Sequence, residues 1–294
     1  MIQLFGIDSY EFKRIIEELK GLKADFKFNN SKDIAVRTKT GFININNIDL
    51  NKMNVLYLRS AMTYRPIFRN LCSVLNFHGK HIINYRFDFL ISDKTSHTMA
   101  MALKGIKIIP TIIFTKKGFE RINKFSWKFP MVLKHPNKHR GECVIKVNNK
   151  EELKSEIDNV KSSIYHLQPF VELKKPKDYR SVYVGKYIGT MIRSTDVEGE
   201  FRCNVALGGT SKKLKSKKKE AYFADMTTRI AHTLNLEVFA VDYIKYGKEY
   251  AVLEINTAFQ FRGFEQATKL NIAKTIAEYL IEKDRSSKIV LKYC

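Results

Sequence analysis

No stretch of about 18 consecutive apolar residues occurs in the chain, the length a membrane-spanning helix needs, so no such helix is expected. The opening residues, MIQLFGIDSYEFKRIIEELK, mix charge with apolar positions from the start. A signal peptide would show a basic segment and then an apolar one, so the expected location is cytoplasmic. Only four cysteines are present, Cys72, Cys143, Cys203 and Cys294, and no two form a CxxC pair. That scatter offers neither a disulfide framework nor a zinc site and fits reduced thiols. His135 and His139 are four apart, but Pro136 lies between them and further ligands are lacking, which argues against zinc. The pattern GxxxxGK[ST] is missing, which excludes a P-loop nucleotide site. No internal repeat is visible. Acidic residues are scarce relative to basic ones, 30 Asp+Glu against 52 Lys+Arg, for a net charge of +22. Such a surface attracts nucleotides, acidic peptides, nucleic acid or anionic lipid. A composition generally rich in lysine and asparagine accounts for the same excess, so both readings stand.

With 294 residues, 44% of them hydrophobic, the chain can bury a large core in two or three lobes. In residues 1–90, IQLFGI, NVLYLRS and KHIINY read as strands. Phe12, Ile15, Ile16 and Leu19 recur at helical spacing, and a second helix runs from about Pro66 to Phe77. Alternating strand and helix implies an open, mostly parallel sheet. Residues 93–105 read as a helix closed by Gly105, and IPTIIF as a buried strand. FPMVLK and CVIKV are strands, followed by a helix from Lys150 to Lys161. DYRSVYVGKYIGTMIRST reads as a hairpin turning at Gly185, and LGGTSKKLKSKKK as a loop. A helix from about Glu220 to Leu234 precedes the strands VFAVDYIKY and EYAVLEIN, joined at Gly247-Lys248. One amphipathic helix is expected from about Glu265 to Lys283.

Three places carry chemistry. Asp242 interrupts the apolar strand FAVDYI, and Glu254 and Asn256 lie two apart in the next strand, hence on one face. If the strands pair, three oxygen-bearing side chains converge. Magnesium asks for that: hard oxygen ligands, few from protein. A pair of half-buried acids satisfied by Lys or Arg is the alternative. Lys134 ends an apolar strand, and the loop after it holds Lys138, Arg140 and Gly141, groups that suit closure over a triphosphate. Arg202 and Asn204 share a face if 198–204 is extended, and arginine suits a phosphoryl oxygen; an ordinary exposed loop is the competing reading.

The order of these pieces resembles the ATP-grasp superfamily, and within it the RimK-like carboxylate-amine ligases that add glutamate to a ribosomal protein. The matching pieces are Asp93-Lys94, Gly105-Ile106 with Pro110-Thr111, Phe129–Lys134, Arg140–Val144, Leu167–Glu172, Asp178–Arg180, Gly199–Asn204 with Gly208-Gly209, Val241–Ile244 and Leu253–Asn256. They span about residues 90–283. The resemblance implies an α/β fold of α+β lobes: an N-terminal pre-ATP-grasp domain over 1–90, a linker and central lid subdomain over 91–168, and a C-terminal antiparallel-sheet subdomain over 169–294. It implies that Lys134, Arg140 and Gly141 contact ATP phosphates, and that Gln168, Pro169, Phe170 and Val171 form the adenine hinge. It places Asp178 near the nucleotide, with Arg202 and Asn204 near the γ-phosphate. Asp242, Glu254 and Asn256 become ligands of magnesium, two ions, with manganese as a substitute. Arg180 and Arg193 would point toward the acyl-phosphate or acceptor region.

The implied activity is ATP-dependent joining of a carboxylate to an amine through an acyl phosphate. An amino acid would be added to a peptide, protein tail or small metabolite, and the net charge favours an acidic acceptor. The sequence departs from the family after Asn256, where Thr257-Ala258-Phe259-Gln260 replaces a small residue, Ser, Pro and Gly. That departure keeps a non-ligating nucleotide-binding protein as one alternative, and the lysine run at 212–219 keeps a nucleic-acid-binding protein as another, although no reader motif accompanies it. No membrane partner is expected, and a homo-oligomer is left open.

Overall fold

The computed structural model describes residues 1–40, 42–46, 48–49, 52–59, 65–84, 94–122, 127–135, 144–160, 162–203 and 208–290. The first segment holds β1 (Ile2–Gly6), α1 (Tyr10–Gly21), β2 (Phe26–Asn30), β3 (Val36–Lys39), β4 (Phe42–Ile45), β5 (Ile48–Asp49), β6 (Val55–Leu58), α2 (Arg65–Phe77) and β7 (His81–Ile82). Ser9 starts α1 by accepting from Phe12 N–H, and Phe12, Ile15 and Leu19 turn its apolar face inward. The sheet runs β2-β1-β6-β7, every pair parallel. A separate antiparallel meander, β3-β4-β5, was not expected. Its first strand, VRTK, is exposed at all four residues, so no apolar period marks it. The expected strand KHIINY shrinks to His81–Ile82. Asn84 takes φ +64° there, and its side chain bonds Glu237 N–H, Val238 N–H and Val238 O at 2.9, 2.8 and 2.6 Å.

The middle segment holds α3 (Lys94–Leu103), β8 (Ile112–Phe114), α4 (Lys116–Phe119), β9 (Met131–Lys134), β10 (Val144–Val147), α5 (Lys150–Asn159) and β11 (Tyr165–Pro169). Gly105 closes α3 at φ +67°. The antiparallel sheet is ordered β10-β9-β11-β8. One face packs Met131, Leu133, Val147, Tyr165 and Leu167 on Leu153 and Ile157 of α5. Alternation therefore sends Val132, Lys134, Val144, Lys146, His166 and Gln168 to the other face.

The last segment holds β12 (Lys177–Val184), β13 (Tyr187–Ser194), β14 (Thr210–Lys213), α6 (Lys217–Leu234), β15 (Val238–Tyr246), β16 (Glu249–Asn256), α7 (Arg262–Thr268) and α8 (Ile272–Val290). Its antiparallel sheet is ordered β14-β13-β12-β15-β16. The turns expected at Gly185 and Gly247 are present, at φ +63° and +64°. Two expectations are corrected. The lysine-rich stretch is not a loop: Thr210–Lys213 pairs with Met191–Ser194, and Lys217–Lys219 form the first turn of α6, capped by Ser216. The final helix is two helices, because Lys269 turns left-handed at φ +62°. Glu265 Oε1 then accepts from Ile272 N–H and Ala273 N–H at 2.8 and 3.1 Å and starts α8.

The largest core joins the ends of the chain. Ile2, Leu4, Phe12 and Ile15 meet Val182, Val238, Phe264, Ile272, Ile276 and Leu280 in one buried cluster. Cys72 and Cys203 are buried free thiols; Cys143 and Cys294 lie outside the described residues. No helix among the described residues is long and apolar enough to cross a membrane.

Candidate functional site

Register builds one wall of the site. Asp242 on β15 stands opposite Glu254 on β16 and Arg180 on β12, and Asp178 stands opposite Arg193 on β13. Opposite residues share a face, so acids and arginines interleave. Arg180 holds Asp242 with two bonds of 2.7 Å, from Nε to Oδ1 and from Nη2 to Oδ2. Arg193 Nε and Nη2 hold Asp178 at 2.6 and 2.9 Å, and Arg193 Nη2 also reaches Asp242 Oδ2 at 2.9 Å. Glu254 receives Lys94 Nζ at 2.8 Å and Asn256 Nδ2 at 2.9 Å.

These pairings decide the charge states. Burial alone would raise the Asp242 carboxyl, but Arg180 and Arg193 outweigh it and hold it below the ordinary carboxylate range. For Glu254, burial is likewise overcome, chiefly by Lys94, and the group sits well below that range. Burial pushes Asp178 up to about 6, with Arg193 opposing and Asp242 adding. All three are ionised at neutral pH.

The facing wall comes from the middle sheet. The register aligns Val144, Lys134 and His166 in one row and Lys146, Val132 and Gln168 in the next. Burial pushes the Lys134 ammonium down to about 8, with Glu254 opposing and Lys94 adding. Lys146 Nζ lies 4.3 Å from the centre of the Phe170 ring, which meets Phe201 edge-on at 5.5 Å. Gln168 Nε2 donates to Thr111 Oγ1 at 2.8 Å, and Phe170 N–H donates to Pro130 O at 3.1 Å.

Between the walls lies a cavity of about 350 Å³. Of the residues expected at a nucleotide site, Lys134, Gln168, Pro169, Phe170, Val171, Asp178, Arg193, Arg202, Asp242 and Glu254 line it. Arg180 and Asn256 are not among the residues that line it; they are bonded to Asp242 and Glu254, which do. Arg202 is clamped by Glu200 at 2.9 Å from Nε and 2.6 Å from Nη2. Arg140, Gly141 and Asn204, expected here, lie outside the described residues. Phe259, in the segment that departs from the family after Asn256, is 2% exposed and belongs to the core.

Two cationic groups at the cavity, Lys94 and Lys146, were not among the expected site residues. Lys94, His97, Thr98 and Met101 line the cavity from α3, a spacing of three and four that marks one helical face. Lys146 alternates with Ile145 and Val147 in a strand, a pattern equally usual for a solvated edge.

The donor set suits a hard divalent cation that draws most of its ligands from phosphate and water. Asp242 and Glu254 reach the cavity, each paired with a cation, and the Asn256 amide donates to Glu254; among the described residues no cluster of three or more His, Cys, Asp or Glu could hold a metal by itself. Around them Lys94, Lys134, Lys146 and Arg193 line the cavity with cationic groups, Lys94 paired with Glu254 and Arg193 with Asp178 and Asp242.

Residues 91–280 match the profile of the RimK-like ATP-grasp domain. The chain belongs to that family. It is 29% identical over 199 residues to a protein of Alkalilimnicola ehrlichii named "Probable alpha-L-glutamate ligase", covering 67% of this chain and 65% of that one. The protein of the same name from Legionella pneumophila strain Corby is 31% identical over 195 residues, covering 65% and 63%. This RimK-like chain therefore aligns over slightly less than two thirds of those relatives' lengths. Its fold matches the ATP-grasp ligase PsnB, solved with a phosphomimetic variant of a minimal precursor, Mg and ADP, at a TM-score of 0.73 and 15% identity, over 96% of this chain and 98% of that one. That likeness shows the ATP-grasp fold.

Proposed function

We propose that the protein is an ADP-forming ATP-grasp ligase that phosphorylates a carboxylate and joins it to an amine. The observation that carries this reading is the opposition of two walls across one cavity: Lys134 and Lys146 of the middle sheet on one side, Asp242 and Glu254, the latter paired with Lys94, on the other. Phosphorylation of a carboxylate by ATP gives an acyl carbon with a good leaving group, and the amine then displaces phosphate. Magnesium, held by Asp242, Glu254 and Asn256, supplies charge neutralisation of phosphate oxygens when bound. Lys134 and Lys94 stabilise negative charge on the phosphates, and Arg202 does so at the transferring group. The segment Gln168–Val171 seats the adenine, with Phe170 and Phe201 as its apolar surface. Arg180 fixes the orientation of Asp242, and Arg193 that of Asp178. We keep the division at 1–90, 91–168 and 169–294, and Arg140, Gly141 and Asn204 as phosphate contacts, within this proposal.

The substrates are an amino acid and a peptide, protein tail or small metabolite. Incubation with MgATP and a panel of amino acids and acidic peptides should release ADP only when both carboxylate and amine are present. Intact ATP binding without ADP across the panel would count against ligation and favour a nucleotide-binding role. An acidic acceptor is supported by exposed Lys212, Lys213, Lys215, Lys217, Lys218 and Lys219, which cluster on β14 and the start of α6. Replacing these six with Ser should raise KM for an acidic acceptor several-fold at low salt and leave KM for ATP unchanged; equal KM values for the acceptor would remove that assignment.

A further inference from the structure

Thr95 and His166 are both buried, 7% and 5% exposed, and a buried hydroxyl or imidazole needs a hydrogen-bond partner. They meet each other: Thr95 Oγ1 and His166 Nε2 are 3.0 Å apart. The pair joins two bodies. Thr95 lies in the first turn of α3. That helix packs with the C-terminal sheet, where Ala100 and Met101 share one core with Phe239, Val252 and Ile255. Lys94, the residue before Thr95, is bonded to Glu254 of that sheet. The chain leaving α3 stays there, since Val252 N–H donates to Lys107 O at 2.9 Å and Ile109 N–H to Val252 O at 3.3 Å. His166 belongs instead to the middle sheet, which has its own core around Leu133, Leu153 and Leu167. Two successive residues of one helical turn thus reach opposite walls of the cavity.

His166 stands directly opposite Lys134 on the neighbouring strand, and both line the cavity. Side chains so paired lie about 5 Å apart at Cβ, so a bond that fixes His166 also fixes the place of Lys134. Lys134 faces Glu254 across the cavity, and the attraction between a cation and a phosphate weakens as they separate. Bodies with separate cores move relative to one another unless the contacts between them forbid it. We propose that Thr95 and His166 form a latch that sets the spacing of the two walls and so holds Lys134 within reach of the nucleotide phosphates. Both are positioning residues that act through Lys134. The latch rests on the nucleotide reading of the cavity.

Calorimetric titration of the full chain with Mg and a non-hydrolysable ATP analogue tests it. Thr95→Val keeps the shape and removes the hydroxyl, and should weaken binding about 5- to 10-fold, the range for losing one buried hydrogen bond. Thr95→Ser keeps the hydroxyl and should restore binding to within about 2-fold. His166→Phe should cost as much as Thr95→Val, and the double variant no more than either, because all three lose the same bond. In a Lys134→Met background, Thr95→Val should cost less than about 2-fold, since the group it positions is gone. A general loosening of the fold would cost the same with or without Lys134. Undiminished binding by Thr95→Val, no rescue by Thr95→Ser, or an equal loss in the Lys134→Met background would each overturn the latch. So would a His166→Phe loss that adds in full to that of Thr95→Val, which would make His166 a direct nucleotide contact. Should His166→Phe not fold, the Thr95 and Lys134 variants decide alone. The two readings fail differently. No binding by the unaltered chain removes the nucleotide site and the latch with it; binding indifferent to Thr95→Val removes the latch and leaves the site.

Discussion

Lys134 should change its proton count when a polyanion arrives. Burial lowers its ammonium to about 8, so at pH 8.5 much of it is neutral. Phosphate oxygens favour the charged form and raise the pKa. Nucleotide binding at pH 8.5 therefore draws a proton from solvent, whereas at pH 6.5 the group is already charged and takes up none. Titration calorimetry in buffers of different ionisation enthalpy should show an uptake of roughly half a proton or more at pH 8.5, absent at pH 6.5 and abolished in Lys134→Met. Equal uptake at both pH values would contradict the assignment of Lys134 to the phosphates. Asp242 makes a second test, since its side chain is 4% exposed and shared by two arginines. Asp242→Asn leaves those cations short of charge, at a cost of about 3 kcal/mol, because Arg193 retains Asp178. Urea unfolding reads that loss, and ADP formation should fall at least about 100-fold. The acids were legible because a carboxylate inside an apolar strand demands a partner. Lys94 and Lys146 were not, because a lysine on a helix or strand surface is ordinarily solvated. Only the register, with Lys146 beside Val132 and Val144 beside Lys134, turns Lys146 toward the cavity.

At the scale of elements, local signals served where they were strong. Gly185 and Gly247 marked both turns of the sheet that carries Asp242, and Gly105 marked the end of α3. They failed where tertiary context decides. β14 exists because the edge of β13 offers it a ladder, and a lysine-rich sequence does not announce that. The break between α7 and α8 was hidden because apolar spacing continues across it with no Gly or Pro. Its devices are the left-handed Lys269 and the side chain of Glu265, and they give predictions of opposite sign. Lys269→Gly relieves the positive φ and should stabilise the fold by about 0.5–1 kcal/mol. Glu265→Ala removes the acceptor for two helix-start N–H groups and should destabilise it by about 1 kcal/mol. Denaturant midpoints moving oppositely with unchanged slope would bear this out; a stabilising Glu265→Ala would refute the capping role.

For the molecule as a whole, the placement of cores sets which parts unfold together. The middle sheet has its own core around Leu133, Leu153 and Leu167. The N-terminal sheet does not stand apart in that way: Ile2, Leu4 and Phe12 share one cluster with Val182, Val238, Ile272 and Ile276, and Asn84 ties the two regions through Glu237 and Val238. Three units read from sequence order are thus joined at their two ends, a closure no local pattern encodes because these partners lie at least 153 residues apart in the chain. Ile276 is fully buried in that cluster. Ile276→Ala should cost about 2–4 kcal/mol through lost burial and the cavity left behind. Hydrogen exchange should then quicken in β1 and in β12 and β15 by the same factor, since both sheets open in one event, while β9–β11 keeps its native protection wherever it opens by a separate path. Exchange that quickens in β1 alone would show that residues 1–90 fold as a unit of their own, with α8 as a detachable cover.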